Sequence, residues 1–321
     1  MNIFRLKNTL FTFLFLLIYA CNAPRENPFD PNAANYKNKE HTIIQVNNLY
    51  PPYHGLENIL VIEPNLRFSG KTAEDGTIVW QHEGLDSVHL FASGQGYFDG
   101  ESLFTDIDKN ATLTLFLNAK PYLQDTRFFS RYFSGKSYLE FQSRVIDPDM
   151  IADLKEVILF CPQYSFKDTL ALNEVGSDYF TTWFSINEID SNLSAGKVPE
   201  LVFSLLVQNI NGDSLWFEPF SIVRIIEHQI QPLSPASNDT VRGEIVFSWE
   251  EVTLDYPFTF SILLYQLPNF GLIKSYDNIS GDSTRFTAVP LQNGRYMWVL
   301  ELRDSANNIS QSDGIIFVID N

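Results

Sequence analysis

The chain is poor in cysteine, in basic residues and in long apolar runs, and each shortage excludes a class of protein. Cys21 and Cys161 are the only cysteines among 321 residues, too few for a disulfide framework. The five histidines, His41, His54, His82, His89 and His228, show no HExxH, no paired spacing and no cysteine partner. Zinc therefore has no support. A P-loop, a GxSxG elbow and a dinucleotide fingerprint are all absent, and Ser93-Gly94-Gln95-Gly96 reads as a turn. Against 39 Asp and Glu stand 22 Lys and Arg, a formal net charge of −17. That balance excludes the basic footprint of a nucleic-acid binder and charge-driven attachment to anionic lipid.

What is present begins with a short signal. Arg5 and Lys7 precede the apolar run Leu10 to Ile18, about half the roughly 20 residues that a spanning helix needs. Residues 1–20 are expected to be a signal peptide. Ile18-Tyr19-Ala20-Cys21 resembles the lipobox of bacterial lipoproteins. The resemblance implies cleavage before Cys21 and lipidation of Cys21 with diacylglycerol and an N-acyl chain, palmitate being a suitable label. At about 0.8 kcal/mol per buried CH₂, such an anchor holds the membrane without help from charge. Loss of Arg5 and Lys7 leaves 20 basic against 39 acidic groups, a net of −19, which serves solubility. Only Cys161 would then remain as a thiol, so no intramolecular disulfide forms. It ends the run Val157-Ile158-Leu159-Phe160 and reads as a small core residue.

Residues 21–40 are polar and rich in Pro and Asn, a flexible tether. Within them Asn27-Pro28-Phe29-Asp30-Pro31 is similar to a segment following the lipobox in some Gram-negative surface lipoproteins. The resemblance implies a cell-envelope location, lipid-anchored at the outer membrane of a Gram-negative bacterium.

The remaining chain exceeds what one hydrophobic core organises. Aromatics make up 14%, β-branched residues are frequent, and Gly, Pro, Asn and Asp break the chain into short runs. The expected fold class is all-β, with three tandem β-sandwich domains at 41–121, 122–228 and 229–321. In the first, Thr42–Val46, Ile59–Ile62, Thr77–Trp80, Ser87–Ala92 and Thr112–Leu117 read as strands. Gly70-Lys71-Thr72, Asp75-Gly76-Thr77 and Gly94-Gln95-Gly96-Tyr97 resemble the turns of transthyretin-like or carboxypeptidase-regulatory-like modules; an Ig-like sandwich is the other reading. In the second, Tyr138–Val145, Val157–Cys161, Tyr179–Ile186 and Leu201–Val207 alternate, and Asn211-Gly212-Asp213 makes a tight hairpin turn. The segment Val145 to Val157, with its Asp-rich loop, is similar to bacterial Ig-like domains.

The third region resembles a fibronectin type III domain over roughly 90 residues, the usual size of one. Pro232-Leu233-Ser234-Pro235 opens it, and Ile245, Phe247 and Trp249 alternate on one face. Leu291 and Tyr296 match the corner in which a tyrosine bonds back to upstream backbone, and Ile315, Phe317 and Ile319 alternate on the last strand.

Chemistry is sparse. Asp147, Asp149 and Asp153 offer hard oxygen ligands suited to Ca²⁺, against the plainer reading of a solvated acidic turn. A glycosidase carboxylate pair has no sequence spacing to betray it. Trp80, Trp183, Trp249 and Trp298 sit inside strand patterns, where core packing is expected of most, while Trp216 follows a turn. The sequence therefore predicts no catalytic residues, no cofactor beyond a structural Ca²⁺, and a membrane partner through Cys21. It predicts a structural or binding module for a protein or glycan. The alternatives are carbohydrate capture for a nutrient-uptake system and a hydrolase with a hidden carboxylate site.

Overall fold

The computed structural model describes residues 40–65, 68–82, 84, 86–108, 110–173 and 178–321. The signal segment, Cys21 and all but the last residue of the tether lie outside these residues. The chain divides into two compact units, with the boundary between Ala119 and Lys120. Both are all-β sandwiches.

The first unit contains β1 (Glu40–Asn48), β2 (Leu60–Glu63), β3 (Phe68–Lys71), β4 (Thr77–His82), β5 (Ser87–Ser93), β6 (Gly100–Thr105) and β7 (Thr112–Leu117). One sheet has the order β4-β1-β7 and the other β3-β2-β5-β6. β1 runs antiparallel to β4 and parallel to β7. Strict alternation makes this possible: Thr42, Ile44 and Val46 point inward from β1, and Leu113, Leu115 and Leu117 from β7. They meet Val61, Val88 and Leu90 of the opposite sheet in one core. The turn residues have steric work. Gly76 has φ +81°, and a Cβ there would lie 2.5 Å from the Gly55 Cα. Asp75 Oδ1 accepts from both the N–H and the hydroxyl of Thr77, closing the turn into β4. Thr72 is buried, donating to the Leu56 carbonyl and accepting from the Ile59 N–H.

The second unit opens with β8 (Tyr122–Phe133), β9 (Lys136–Ile146), β10 (Leu154–Cys161), β11 (Phe166–Thr169), β12 (Ala171–Leu172) and β13 (Tyr179–Ser185). A single helical turn, α1 (Ile186–Ile189), follows; Ser185 caps it and the Glu188 carboxylate accepts from the Ser185 N–H. Then come β14 (Phe203–Asn209) and β15 (Ser214–Phe220), joined at Asn211-Gly212-Asp213, where Gly212 has φ +93°. The strands of the last third are β16 (Pro232–Ser234), β17 (Thr240–Val241), β18 (Ile245–Trp249), β19 (Phe258–Gln266) and β20 (Gly271–Ser280). They end with β21 (Arg285–Ala288), β22 (Gly294–Asp304), β23 (Ile309–Gln311) and β24 (Ile315–Ile319).

Two cores fill this unit. One, with Leu139, Phe141, Leu159 and Phe203, lies between β12-β13-β9-β8 and β11-β10-β14-β15. The other, with Phe247, Trp249, Phe260, Trp298 and Phe317, lies between β16-β18-β21 and the sheet containing β19 and β22. The two sandwiches are joined by a pairing between distant strands. β8 pairs in parallel with β23, through Ile309↔Arg131, Ser310↔Tyr132 and Gln311↔Phe133. One ten-stranded sheet therefore runs through both sandwiches. The fibronectin-like details are present: the Tyr296 hydroxyl donates to the Gln292 carbonyl at 2.9 Å, and Ile245, Phe247, Trp249, Phe317 and Ile319 are buried.

Candidate functional site

The acidic loop between β9 and β10 is buried: Asp147 is 8% exposed, Asp149 5% and Asp153 1%. Asp147 Oδ1 accepts from the Asp149 N–H at 2.9 Å, an Asx turn. Asp147 Oδ2 has no hydrogen-bond partner among the described residues. Burial raises the Asp147 carboxyl to about 6; the Asp149 N–H opposes this, and the Asp153 and Asp149 charges add to it. Asp153 Oδ1 instead faces Asn211 Nδ2 of the β14–β15 hairpin at 3.4 Å, and the Asp153 carbonyl accepts from the Ile210 N–H. The carboxylates thus engage different neighbours. Among the described residues no three His, Cys, Asp or Glu side chains stand where they could hold a metal ion. The loop is buried, unlike the solvated turn weighed against calcium from sequence.

Cys161 is fully buried at the end of β10, and burial pushes its thiol up. His82 bridges within the first unit: Nδ1 accepts from the Gly84 N–H at 3.1 Å, which leaves Nε2 facing Thr42 Oγ1 at 2.8 Å as a donor. Burial lowers its proton affinity. Both are structural parts.

The tryptophans divide. Trp80, Trp249 and Trp298 are buried, whereas Trp216 is 55% exposed and Trp183 66% exposed. Trp183 is the exception to the core packing expected of most of the strand tryptophans, and the reason is parity. Phe180 and Phe184 take the inner face of β13, so Thr181 and Trp183 alternate outward. Trp183 stands over Tyr138 of β9, ring centroids 5.1 Å apart and planes 37° apart. Beside it Arg131, Glu140, Thr181 and Thr182 line an open cleft of ≈ 290 Å³. Both carboxylate oxygens of Glu140 are engaged, one by Gln142 and the other by Arg131 at 3.4 Å. Arg131 reaches on to Glu301 Oε1 at 3.2 Å and Gln311 Oε1 at 3.1 Å, and Arg303 holds Glu301 Oε2 at 3.4 Å. The two glutamates flank one guanidinium and accept from it.

A second pair of clefts adjoins the β19–β20 hairpin. One of ≈ 360 Å³ is lined by Leu267, Pro268, Phe270, Arg295 and Ile316, and the other, ≈ 310 Å³, by Gln266, Asn269, Gly271 and Ile273 among others. Phe270, Leu272 and Ile273 are exposed here, beside Arg295 and the polar side chains of Gln266 and Asn269.

No family model matches the chain, and no curated protein matches it. Solved structures do align. The major pilin subunit BcpA of Bacillus cereus aligns over 88% of this chain and 96% of its own, at 8% identity and a TM-score of 0.31. The FN1–FN3 domains of chicken CNTN1 align over 84% and 93%, at 11% identity and a TM-score of 0.34. The fibronectin(III)-like modules of Clostridium thermocellum CbhA align over 62% and 93%, at 13% identity and a TM-score of 0.28.

Proposed function

We propose that the chain is a non-catalytic cell-envelope lipoprotein, hung from lipid at Cys21, whose sandwiches form a binding module for a protein or glycan. Among the described residues no helix is long and apolar enough to cross a membrane; the proposed attachment is the acyl chains, at the outer membrane of a Gram-negative cell. The observation that supports binding over chemistry is the Trp183 cleft. It is open, its aromatic ring faces solvent, and the carboxylate that lines it, Glu140, accepts from Arg131 and Gln142. Catalysis needs groups converging on a water-excluded point, whereas recognition needs an exposed aromatic with a few placed polar groups.

The deciding experiment immobilises the purified chain and passes solubilised envelope material over it, wild type beside Trp183→Ala. Retention by the wild type that the variant loses supports the reading. Equal retention by both overturns it. So does turnover of a polysaccharide, peptide or ester that disappears on replacing one Asp or Glu, which would establish the hydrolase alternative.

A further inference from the structure

Resting on that reading, we propose that the Trp183 cleft binds a neutral polysaccharide, with a sugar ring lying on the indole and its hydroxyls held by the polar side chains alongside. Register places the groups. Thr181, Trp183 and Ser185 of β13 lie opposite Gln142, Glu140 and Tyr138 of β9, and Tyr138 lies opposite Arg131 of β8. Directly opposed residues share a face. One solvent face therefore presents an aromatic pair within a field of amide, carboxylate, guanidinium and hydroxyl groups.

This composition fits a sugar better than a protein. The centre of a protein interface is depleted in Glu and Ser, and both Glu140 and Ser185 stand on this face. Around Trp183 the neighbours are Thr181, Ser185, Glu140, Gln142 and Arg131. A pyranose has one face of C–H groups, which the negative face of an aromatic ring attracts. It also has vicinal hydroxyls, which donate to the Glu140 lone pairs that Gln142 and Arg131 leave open and accept from the remaining N–H groups of Arg131 or Gln142. The ring needs access from one side only, and an indole 66% exposed provides it. The position at the edge helps a long polymer pass. β12 covers β13 only at Phe180 and Thr181, leaving the Trp183 half of the strand beyond that cover.

Charge selects a neutral chain. Arg131 is shared between Glu140 and Glu301, so the cationic group of the cleft is matched by two carboxylates. Arg303 also pairs with Glu301, so this network balances two guanidiniums against two carboxylates. A uronate or sulfated polymer would find no unmatched cation in it and would meet the net −17 of the whole chain.

Affinity electrophoresis of the full chain tests this, using gels containing hydroxyethylcellulose, glucomannan or soluble starch, with alginate as the anionic arm. Retardation is expected in at least one neutral gel and not in alginate. Trp183→Ala should weaken it by roughly tenfold or more, the loss of one aromatic contact with its buried area. Trp216→Ala, on the opposite sheet, should leave it unchanged. Because Trp183 is exposed, its variant should melt with the wild type, which separates lost binding from lost folding. Migration unaffected by every neutral polysaccharide overturns the inference, as does retardation that survives Trp183→Ala or occurs in alginate alone. Retention of an envelope protein through Trp183 in the absence of polysaccharide binding would overturn the sugar inference and leave the binding module standing. Loss of all Trp183-dependent retention would bring down both.

Discussion

Asn308 and Ser130 lie 178 positions apart and are joined in the buried seam of the second unit: Asn308 Oδ1 accepts from the Ser130 N–H at 2.9 Å and stands 3.1 Å from its hydroxyl. The same asparagine donates through Nδ2 to Asp304 Oδ2 at 3.1 Å, and Asp304 also faces Arg224 at 3.4 Å. A polar chain thus links the first strand of one sandwich to the β22–β23 turn of the next, beside the β8–β23 pairing. Buried polar groups favour a unique arrangement only when all are satisfied.

Asn308→Ala should break that seam. It strands the buried Ser130 N–H and removes a partner of Asp304, at about 1–3 kcal/mol for each buried group left unpaired. In urea unfolding of the full chain, the expected result is a lower midpoint for the second unit, with its two sandwiches separating into distinct transitions. Asn307→Gly is the control, because Asn307 already sits at φ +67°, a conformation glycine adopts freely. An unchanged midpoint for Asn308→Ala would show that strand pairing alone fixes the seam.

The Asp147 carboxyl gives a pH prediction. Its folded pKa is raised from 3.8 to about 6. A raised value means that the folded state holds the proton more tightly, so no penalty exists below pH ~4. Stability then falls as pH rises through about 6, by up to about 3 kcal/mol at 1.36 kcal/mol per unit. Asp147→Asn keeps the oxygen that accepts from Asp149 and removes the charge. It should raise the melting temperature at pH 7.5 and match the wild type near pH 4. The calcium proposal for Asp147, Asp149 and Asp153 enters as a second arm. A wild-type melt that rises with Ca²⁺ and falls with chelator, while Asp147→Asn loses both responses, would place a cation on these carboxylates. Melts insensitive to both additions would leave the Asp147 proton alone to neutralise that carboxyl.

The last sandwich should respond as its geometry dictates. Tyr296→Phe removes the bond to the Gln292 carbonyl and should cost about 0.5–1.5 kcal/mol. Trp249→Ala truncates a fully buried ring packed 5.1 Å from Phe260 and should cost about 3–5 kcal/mol. Its Nε1 has no hydrogen-bond partner among the described residues, so Trp249→Phe should cost much less than Trp249→Ala. Denaturant midpoints for the three variants check the order, and a Trp249→Ala midpoint equal to wild type would refute the core register.

How much of this was legible follows from the distance over which each feature acts. Ile245, Phe247 and Trp249 announce a one-sided strand, because a sandwich buries alternate residues. The Tyr296 corner spans four residues and is equally visible. The β8–β23 seam is not, since parallel pairing of distant strands leaves no turn signature, and its buried members Ser130, Ser310 and Asn308 look like surface residues by type. Trp183 is the exception among strand tryptophans of which most are expected in the core, and parity makes it legible: counted from Phe180 and Phe184 it must point outward. In the Asp147 loop the acid density was plain, but the separate partners of Asp147 and Asp153 depend on a hairpin more than fifty residues away.

The anchor is the remaining prediction, and it concerns residues outside those described. The apolar run Leu10 to Ile18 is nine residues, about 14 Å of helix at 1.5 Å per residue, against a hydrocarbon core of about 30 Å. It is too short to span a bilayer as a helix. The net of −19 after removal of residues 1–20 repels anionic headgroups. The Ile18-Tyr19-Ala20-Cys21 resemblance supplies Cys21 as a lipid acceptor, and acyl chains anchor without a spanning helix or a basic surface. Metabolic labelling with a palmitate analogue in a bacterial host should mark the wild type and leave Cys21→Ala unlabelled. The variant should appear in the soluble fraction or keep its uncleaved signal. Cys161 cannot substitute as the acceptor, being fully buried in a folded sandwich. Labelling and membrane retention undiminished in Cys21→Ala would refute the anchor and require another means of attachment.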